Sequence, residues 1–297
     1  MTFIKKVTAL SATSLLALLL CACASATRPA GADRPRANEP PRFAVLAASD
    51  ERRSAALANW ATVVGEQAAV ASPTPELRPV TATLATLPSG LNDFPRLPPV
   101  RIGDGKTRTE EETRESLRRF LATAAPLLGI DLKQLSLVGI KDAPGGAGAR
   151  RAVYRQNPFA YPLRNGYGVV EVSFTPDLRV VGLSSTAVPD AERLGRTLAQ
   201  VPKTLTAEQA AAALANRPVT FNDRAGAQQT RTVTQVDATA ARQLIVFPLR
   251  RDADPASLEL HVAWEVAVGG TDSTLFAYVD VATGDVLGAE ERTKDEG

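Results

Sequence analysis

The chain has 297 residues, with 34 Lys and Arg against 32 Asp and Glu, a formal net charge of +2, two cysteines and one histidine. Near-balanced charge with no dense basic patch argues against a nucleic-acid partner. A single imidazole excludes the two- and three-histidine sites of hydrolytic zinc enzymes, and a Ser-His-acid triad could be built only on His261, which reads as a strand histidine facing solvent or a neighbour.

Lys5 and Lys6 precede an apolar run from Val7 through Leu20, a charged n-region followed by an h-region. The run falls short of the about 20 apolar residues a spanning helix needs, so it reads as a cleaved signal. Leu20, Cys21, Ala22 and Cys23 resemble the bacterial lipobox, with leucine at minus three and a small residue at minus one. The resemblance implies a signal peptide over 1–22 and lipidation of Cys23. Cys21 fits worse, because the bulky Leu20 precedes it; the alternative is ordinary cleavage after Ala24 or Ala26. Each acyl CH₂ contributes about 0.8 kcal/mol on burial, so two or three chains give a stable anchor. Ala24, rather than aspartate, after the cysteine resembles the outer-membrane sorting pattern. The expected location is therefore the cell envelope, lipid-anchored, at the outer membrane facing the periplasm. With Cys21 lost in the signal, no thiol remains in the folded part for a disulfide or a cysteine zinc site.

Residues 23–48 read as a flexible tether, rich in Ala, Arg and Pro to about Pro41 and too poor in large apolar residues to offset ordering entropy. Residues 49–106 read as a helix plus a Pro-rich connector. Ala56, Leu57, Trp60, Ala61 and Val64 recur at helical spacing between Asp50 and about Ala69, behind Ser49 or Asp50 as N-cap. Trp60 is expected as a packing anchor. Prolines at 73, 75, 79, 88, 95, 98 and 99 then forbid a long helix, leaving room for one short strand over Val80–Leu84.

A first unit, 107–190, opens with an amphipathic helix from Glu110 to near Leu128, with Gly129 as C-cap. Leu117, Phe120, Leu121, Ala124 and Leu128 form its buried face, and its charge run reads as a solvated face. Strands follow over Gln134–Lys141, Arg150–Gln156, Tyr167–Phe174 and Leu178–Thr186. The glycine loop at 143–148 reads as a hairpin loop, because a strand pattern and not a helix follows it. A second unit, 202–292, repeats the order. Its helix spans Thr204–Arg217, with a Thr206/Gln209 capping box and Pro218 as stop. Strands are expected over Gln229–Val236, Arg242–Arg250, Glu259–Val268, Thr274–Val281 and Asp285–Ala289.

The two units end alike, each in strand, polar turn and strand: Val172 through Gly182, and Val279 through Gly288. The implied architecture is α+β, two tandem units, each a helix packed on an antiparallel β-sheet. Val153, Tyr154, Arg155, Gln156, Pro162, Gly168 through Val172, Asp177, Val180 and Val181 resemble the fungalysin/thermolysin propeptide domain. From Leu205 onward the chain resembles the PepSY domain that follows it in such propeptides. The matching residues are Thr206 through Ala210, Val262 through Val266 and Tyr278 through Leu287. The resemblance covers roughly two thirds of the chain; residues 150–168 lack the usual glycine before the turn proline, and no protease follows Gly297.

In that family the tandem folds and inhibits the metalloprotease attached behind it, whereas one histidine cannot supply a His-Glu-x-x-His site here. The resemblance implies a non-enzymatic lipoprotein, held at the membrane through its lipid. It would bind an exported protease or other protein as inhibitor or folding assistant, through a sheet edge or face. The alternative is a small-ligand or envelope-sensing protein with a pocket lined by Trp264, Tyr278, Phe276 and Phe247, although such alternating strand aromatics suit a core. Glu171, Glu265 and Asp280 show no catalytic spacing. No catalytic residue, cofactor or metal is expected, and oligomeric state stays open.

Overall fold

The computed structural model describes residues 39–65, 73–91, 93–102, 108–143, 148–223, 226–270 and 273–292. Cys23 and its lipobox lie outside them, as does most of the 143–148 loop. The chain enters through β1 (Ala44–Ala47) and α1 (Asp50–Val64). Ser49 is the N-cap of α1, its Oγ accepting from the Arg52 N–H at 3.2 Å. Two short strands, β2 (Glu76–Leu77) and β3 (Leu84–Thr86), punctuate the proline-rich stretch. Next come α2 (Glu110–Thr123) and α3 (Ala125–Leu128), then β4 (Leu135–Asp142), β5 (Arg150–Gln156), β6 (Val169–Phe174) and β7 (Val180–Ser185). The remainder holds α4 (Ala191–Ala199), α5 (Ala207–Ala212), β8 (Pro218–Asn222), β9 (Gln228–Thr232), β10 (Thr239–Arg251), β11 (Asp254–Val268), β12 (Leu275–Asp280) and β13 (Val286–Glu291).

This is a mixed α/β fold, mostly antiparallel sheet with few helices. One sheet is the meander β4-β5-β6-β7; the larger sheet has the order β1-β11-β12-β13, with β10 also paired to β11. Two-stranded ribbons, β2-β3 and β8-β9, are also present. The β6–β7 and β12–β13 hairpins, alike in sequence, each carry a register shift, at Ser173/Phe174 and at Tyr278/Val279. Residues Glu39–Gly297 cluster as one unit.

Alternation on the meander turns Ala152, Tyr154, Val170, Val172, Phe174, Val180 and Leu183 inward. They meet Leu117, Phe120 and Leu121 of α2, Leu127 and Leu128 of α3, and Ala56 and Trp60 of α1. Leu77, Leu84, Leu91 and Leu97 from the proline-rich stretch join the same core, each contributing about 1.5–3 kcal/mol by burial. That stretch is thus part of the packing: Pro95 O accepts from the Val180 N–H, and the Leu97 N–H donates to Leu178 O. On the larger sheet, α4 sets Leu194 and Leu198 against Leu46, Val246, Leu260 and Val262. Ala210 of α5 and the following Leu214 pack on Val266, Ala277 and Val279.

Several expected elements have different limits. The helix anticipated from Glu110 to Leu128 breaks at Ala124, because Pro126 supplies no N–H donor; Gly129 then caps α3 in the left-handed region. The charge run of α2 is not wholly solvated. Glu112 is 2% exposed, completes a capping box with Thr109, and accepts from the Ile102 N–H at 2.8 Å. The Thr206/Gln209 box forms as anticipated, yet α5 is only six residues long, and Pro218 opens β8 instead of merely stopping a helix. α1 ends at Val64, and the rest of the stretch anticipated to about Ala69 lies mostly outside the described residues. Val80 and Ala82 lie in a tight turn, so the short strand begins only at Leu84.

Gly129 has φ +65, and a Cβ there would sit 2.5 Å from Thr83 Cγ2. Thr83 cannot yield freely: it is fully buried, and its Oγ1 donates to Ser185 O. Gly129→Ala should therefore cost about 1–3 kcal/mol, read as a lowered midpoint in urea unfolding with an unchanged m-value.

Candidate functional site

The densest chemistry lies on one face of the larger sheet. Period-two alternation sends Leu258, Leu260, Val262 and Val266 of β11 into the helix-covered cores, and Glu259, His261, Ala263, Glu265 and Ala267 to the other face. β10 runs along one edge of β11. The other edge is shared: β1 pairs with Ser257–Leu260 and β12 with Ala263–Ala267. His261 sits at the seam between them. Its Nδ1 lies 2.6 Å from Asp280 Oδ2 and its Nε2 3.0 Å from Glu259 Oε2. Phe43, immediately before β1, stacks on the ring with centroids 4.7 Å apart.

The imidazole is 3% exposed. Burial opposes its charge, but the hydrogen bonds to Asp280 and Glu259 outweigh that and raise its pKa above the ordinary histidine value. Glu259 is also desolvated, yet His261 and Arg251, 2.8 Å away, hold its carboxyl below the usual range. Asp280 Oδ1 accepts the Ala282 and Thr283 N–H groups at 2.7 and 2.9 Å, which fixes the turn into β13.

A second cluster lies on the same face. Glu265, 2% exposed, takes Arg164 Nε at 3.0 Å, Arg292 at 2.5 Å and Gln243 Nε2 at 3.1 Å. Burial works against its charge, but these donors and the two guanidinium charges bring its pKa below the ordinary carboxylate value. Arg292 also pairs with Glu290 at 2.8 Å and lies 3.9 Å over the Phe276 ring. The Tyr278 hydroxyl donates to Glu290, and burial followed by the Glu290 charge raises its pKa.

The structure thus sorts the candidate residues. His261, Asp280 and Glu265 share this face; Glu171 is on β6 in the other sheet, 3.8 Å from Arg151. The His261 nitrogen that would face a serine in a triad faces Glu259 instead. Phe247, Phe276 and Tyr278 pack together, but Trp264 points to the opposite face and donates from Nε1 to Leu205 O at 3.0 Å. The four do not line a common pocket. Glu259, Arg251, Arg164 and Arg292 are members that residue spacing alone does not single out. Part of their signal is present in the sequence: Glu259, His261 and Glu265 fall on one parity of a strand whose other parity is apolar.

Two surface features lie elsewhere. β4 is the outer strand of its meander; among the described residues nothing pairs with its far edge, and Val138 is 62% exposed. A cleft of about 380 Å³ opens between α1, α3 and α4, lined among others by Ala55, Ala82, Pro126, Ile130 and Pro189. Arg52 and Asp190 pair at its rim at 2.8 Å. Among the described residues no helix is long and apolar enough to cross a membrane.

No family profile matches the chain. No curated protein sequence matches it either. Among solved structures, the Bacillus megaterium YpeB C-terminal domain is similar over 69% of this chain and 74% of that one, at 12% identity and a TM-score of 0.28. It is a distant, PepSY-related structural neighbour.

Proposed function

We propose that the chain is an envelope lipoprotein, tethered through Cys23 and directed to the outer membrane. Its body, two tandem helix-on-sheet units of propeptide and PepSY type, acts without catalysis. It binds an exported protein, a protease foremost, as inhibitor or folding assistant. The observation that supports this reading best is the free edge of β4. An eight-residue strand with one unpaired side offers N–H and C=O groups to an extended partner segment, and Val138, exposed at the bulge between Leu137 and Gly139, supplies an apolar contact beside it. The buried histidine, with carboxylates on both nitrogens, favours a structural over a catalytic role for that residue.

The test uses a photo-crosslinking residue at Val138 in the full chain, with the recovered partner then titrated against wild type and Val138→Arg. A specific adduct with an exported protein, and binding weakened at least tenfold by Val138→Arg at unchanged thermal stability, is the expected result. Equal affinity of the two forms removes the β4 edge from the reading. No adduct and no protein partner in an envelope pull-down removes the reading itself. The alternative, small-ligand binding or envelope sensing, draws on the cleft beside Arg52 and is tested by a thermal-shift screen with envelope metabolites.

A further inference from the structure

We propose that β4 pairs with β4 of a second copy of this chain across a two-fold axis, joining the two meanders into one continuous sheet. The proposal needs neither an exported partner nor a lipid anchor: the second copy covers this edge when no other segment does. It rests on the order of residues along the strand.

Backbone direction decides which groups are free. Gln134 O accepts from the Asn157 N–H, and the Ala143 N–H donates to Ala149 O, both at 2.8 Å. An antiparallel ladder alternates. Gln134 and Ser136 before the bulge, and Gly139 and Lys141 after it, therefore turn their N–H and C=O groups to β5. Leu135, Ile140 and Asp142 turn theirs to the open edge.

Self-pairing must set outward-turned residues against one another, and Ile140 opposite Leu135 of the second copy does so. The same register sets Gly139 opposite Ser136, two small residues, and Lys141 opposite Gln134. One step further, Asp142 meets Lys133, in the turn Leu132–Gln134 just before β4. Both side chains are exposed, and neither has an ion pair among the described residues. The axis repeats every one of these pairs, so the strand is complementary to itself in apolar contact and in charge. Sliding by two residues, the smallest step that keeps the faces, sets Asp142 against Leu135 in one direction and against Asp131 in the other.

A bulge on an edge strand ordinarily twists the edge away from a newcomer. Here the bulge falls at the axis, where Leu137 and Val138 meet their own counterparts, so the ladders on either side share one register. Val138, 62% exposed, gains an apolar neighbour from its own copy. One strand pair buries little surface, in the weak class below about 1,200 Å² in total, so association belongs to the micromolar range.

Sedimentation velocity of the full chain over a concentration series reads the equilibrium. Wild type should form dimers and nothing larger through this contact, because a two-fold pairing consumes the edge. Val138→Arg brings two guanidinium groups together at the axis and should weaken dimerisation at least about tenfold. Asp142→Lys sets like charges against each other twice per dimer and should weaken it about fivefold. The double variant Lys133→Asp with Asp142→Lys reverses both signs and should restore the wild-type affinity. A wild type that stays monomeric into the millimolar range overturns the proposal, whether or not the variants fold. So does a dimer that neither single variant weakens, or a double variant no better than Asp142→Lys alone. A monomeric chain that still captures an exported protein at Val138 overturns self-pairing and leaves the partner reading standing. A dimer with the expected charge dependence and no exported partner supports self-pairing and removes only that reading.

Discussion

Glu265→Ala is expected to destabilise the protein by about 3–5 kcal/mol, because removing one member of a buried ionic cluster leaves its partners charged and unpaired. Arg164 and Arg292 are 17% and 10% exposed at the side chain, so neither reaches water easily. The cluster joins pieces far apart in sequence. Arg164 follows Leu163, which bridges to Val246, and Asn165 Nδ2 donates to Pro248 O at 2.8 Å; Arg292, just after β13, meets the same carboxylate. Glu265→Gln, which keeps the shape and an acceptor, should cost less. The pH dependence has a defined sign. A carboxyl with a lowered folded pKa contributes stability above its unfolded value, and the contribution is lost as pH falls through the folded one. Wild type should therefore lose stability in acid more steeply than Glu265→Gln, as measured by urea unfolding at pH 7 and at stepwise lower pH.

Trp60→Ala should cost a similar amount, about 3–5 kcal/mol. The indole is 5% exposed and brings α1 into the core formed by α2, α3 and the meander. Trp60→Phe separates packing from polarity. The Trp60 Nε1 is buried without a hydrogen-bond partner among the described residues, so removing that group relieves an unmet donor and offsets part of the lost volume. A cost for phenylalanine of about 1 kcal/mol or less, against the full cost for alanine, is the expected pattern in chemical denaturation. Equal losses for both would show that indole shape, and not its apolar bulk, holds α1.

Strands with strong alternation are legible in the residue pattern itself. β5 has the limits read from its sequence, and β10 through β13 fall within a few residues of theirs. Trp60 is legible too, because a single large aromatic on a helical stripe has few other uses. The elements that the pattern conceals have local reasons for it. β1 is too short and alanine-rich to announce a strand, and it becomes one only because β11 outruns β12 and leaves an edge to fill. In α4, Leu194 and Leu198 are too few in a nine-residue segment to stand out. β8 is hidden because a proline after a helix reads as a stop, although it can equally begin an edge strand.

The charged seam is half legible. Glu259, His261 and Glu265 share a parity that can be counted along the chain. That Asp280 meets His261 depends on the register between β11 and β12, which residue spacing leaves open. Arg164 reaches Glu265 only because the segment after β5 crosses to the other sheet. No periodicity in its own segment records that crossing.

The placement of β1 also has a mechanical meaning. Tension arriving along the chain from residues preceding Phe43 enters the folded body at Ala44, which lies opposite Leu260 beside the seam. Ala47, opposite Ser257, is the far end. A pull would therefore peel β1 from the His261 end first, one rung at a time, instead of shearing all four pairs together. An N-terminal attachment at Cys23, as proposed, would make β1 a short extensible segment between membrane and body.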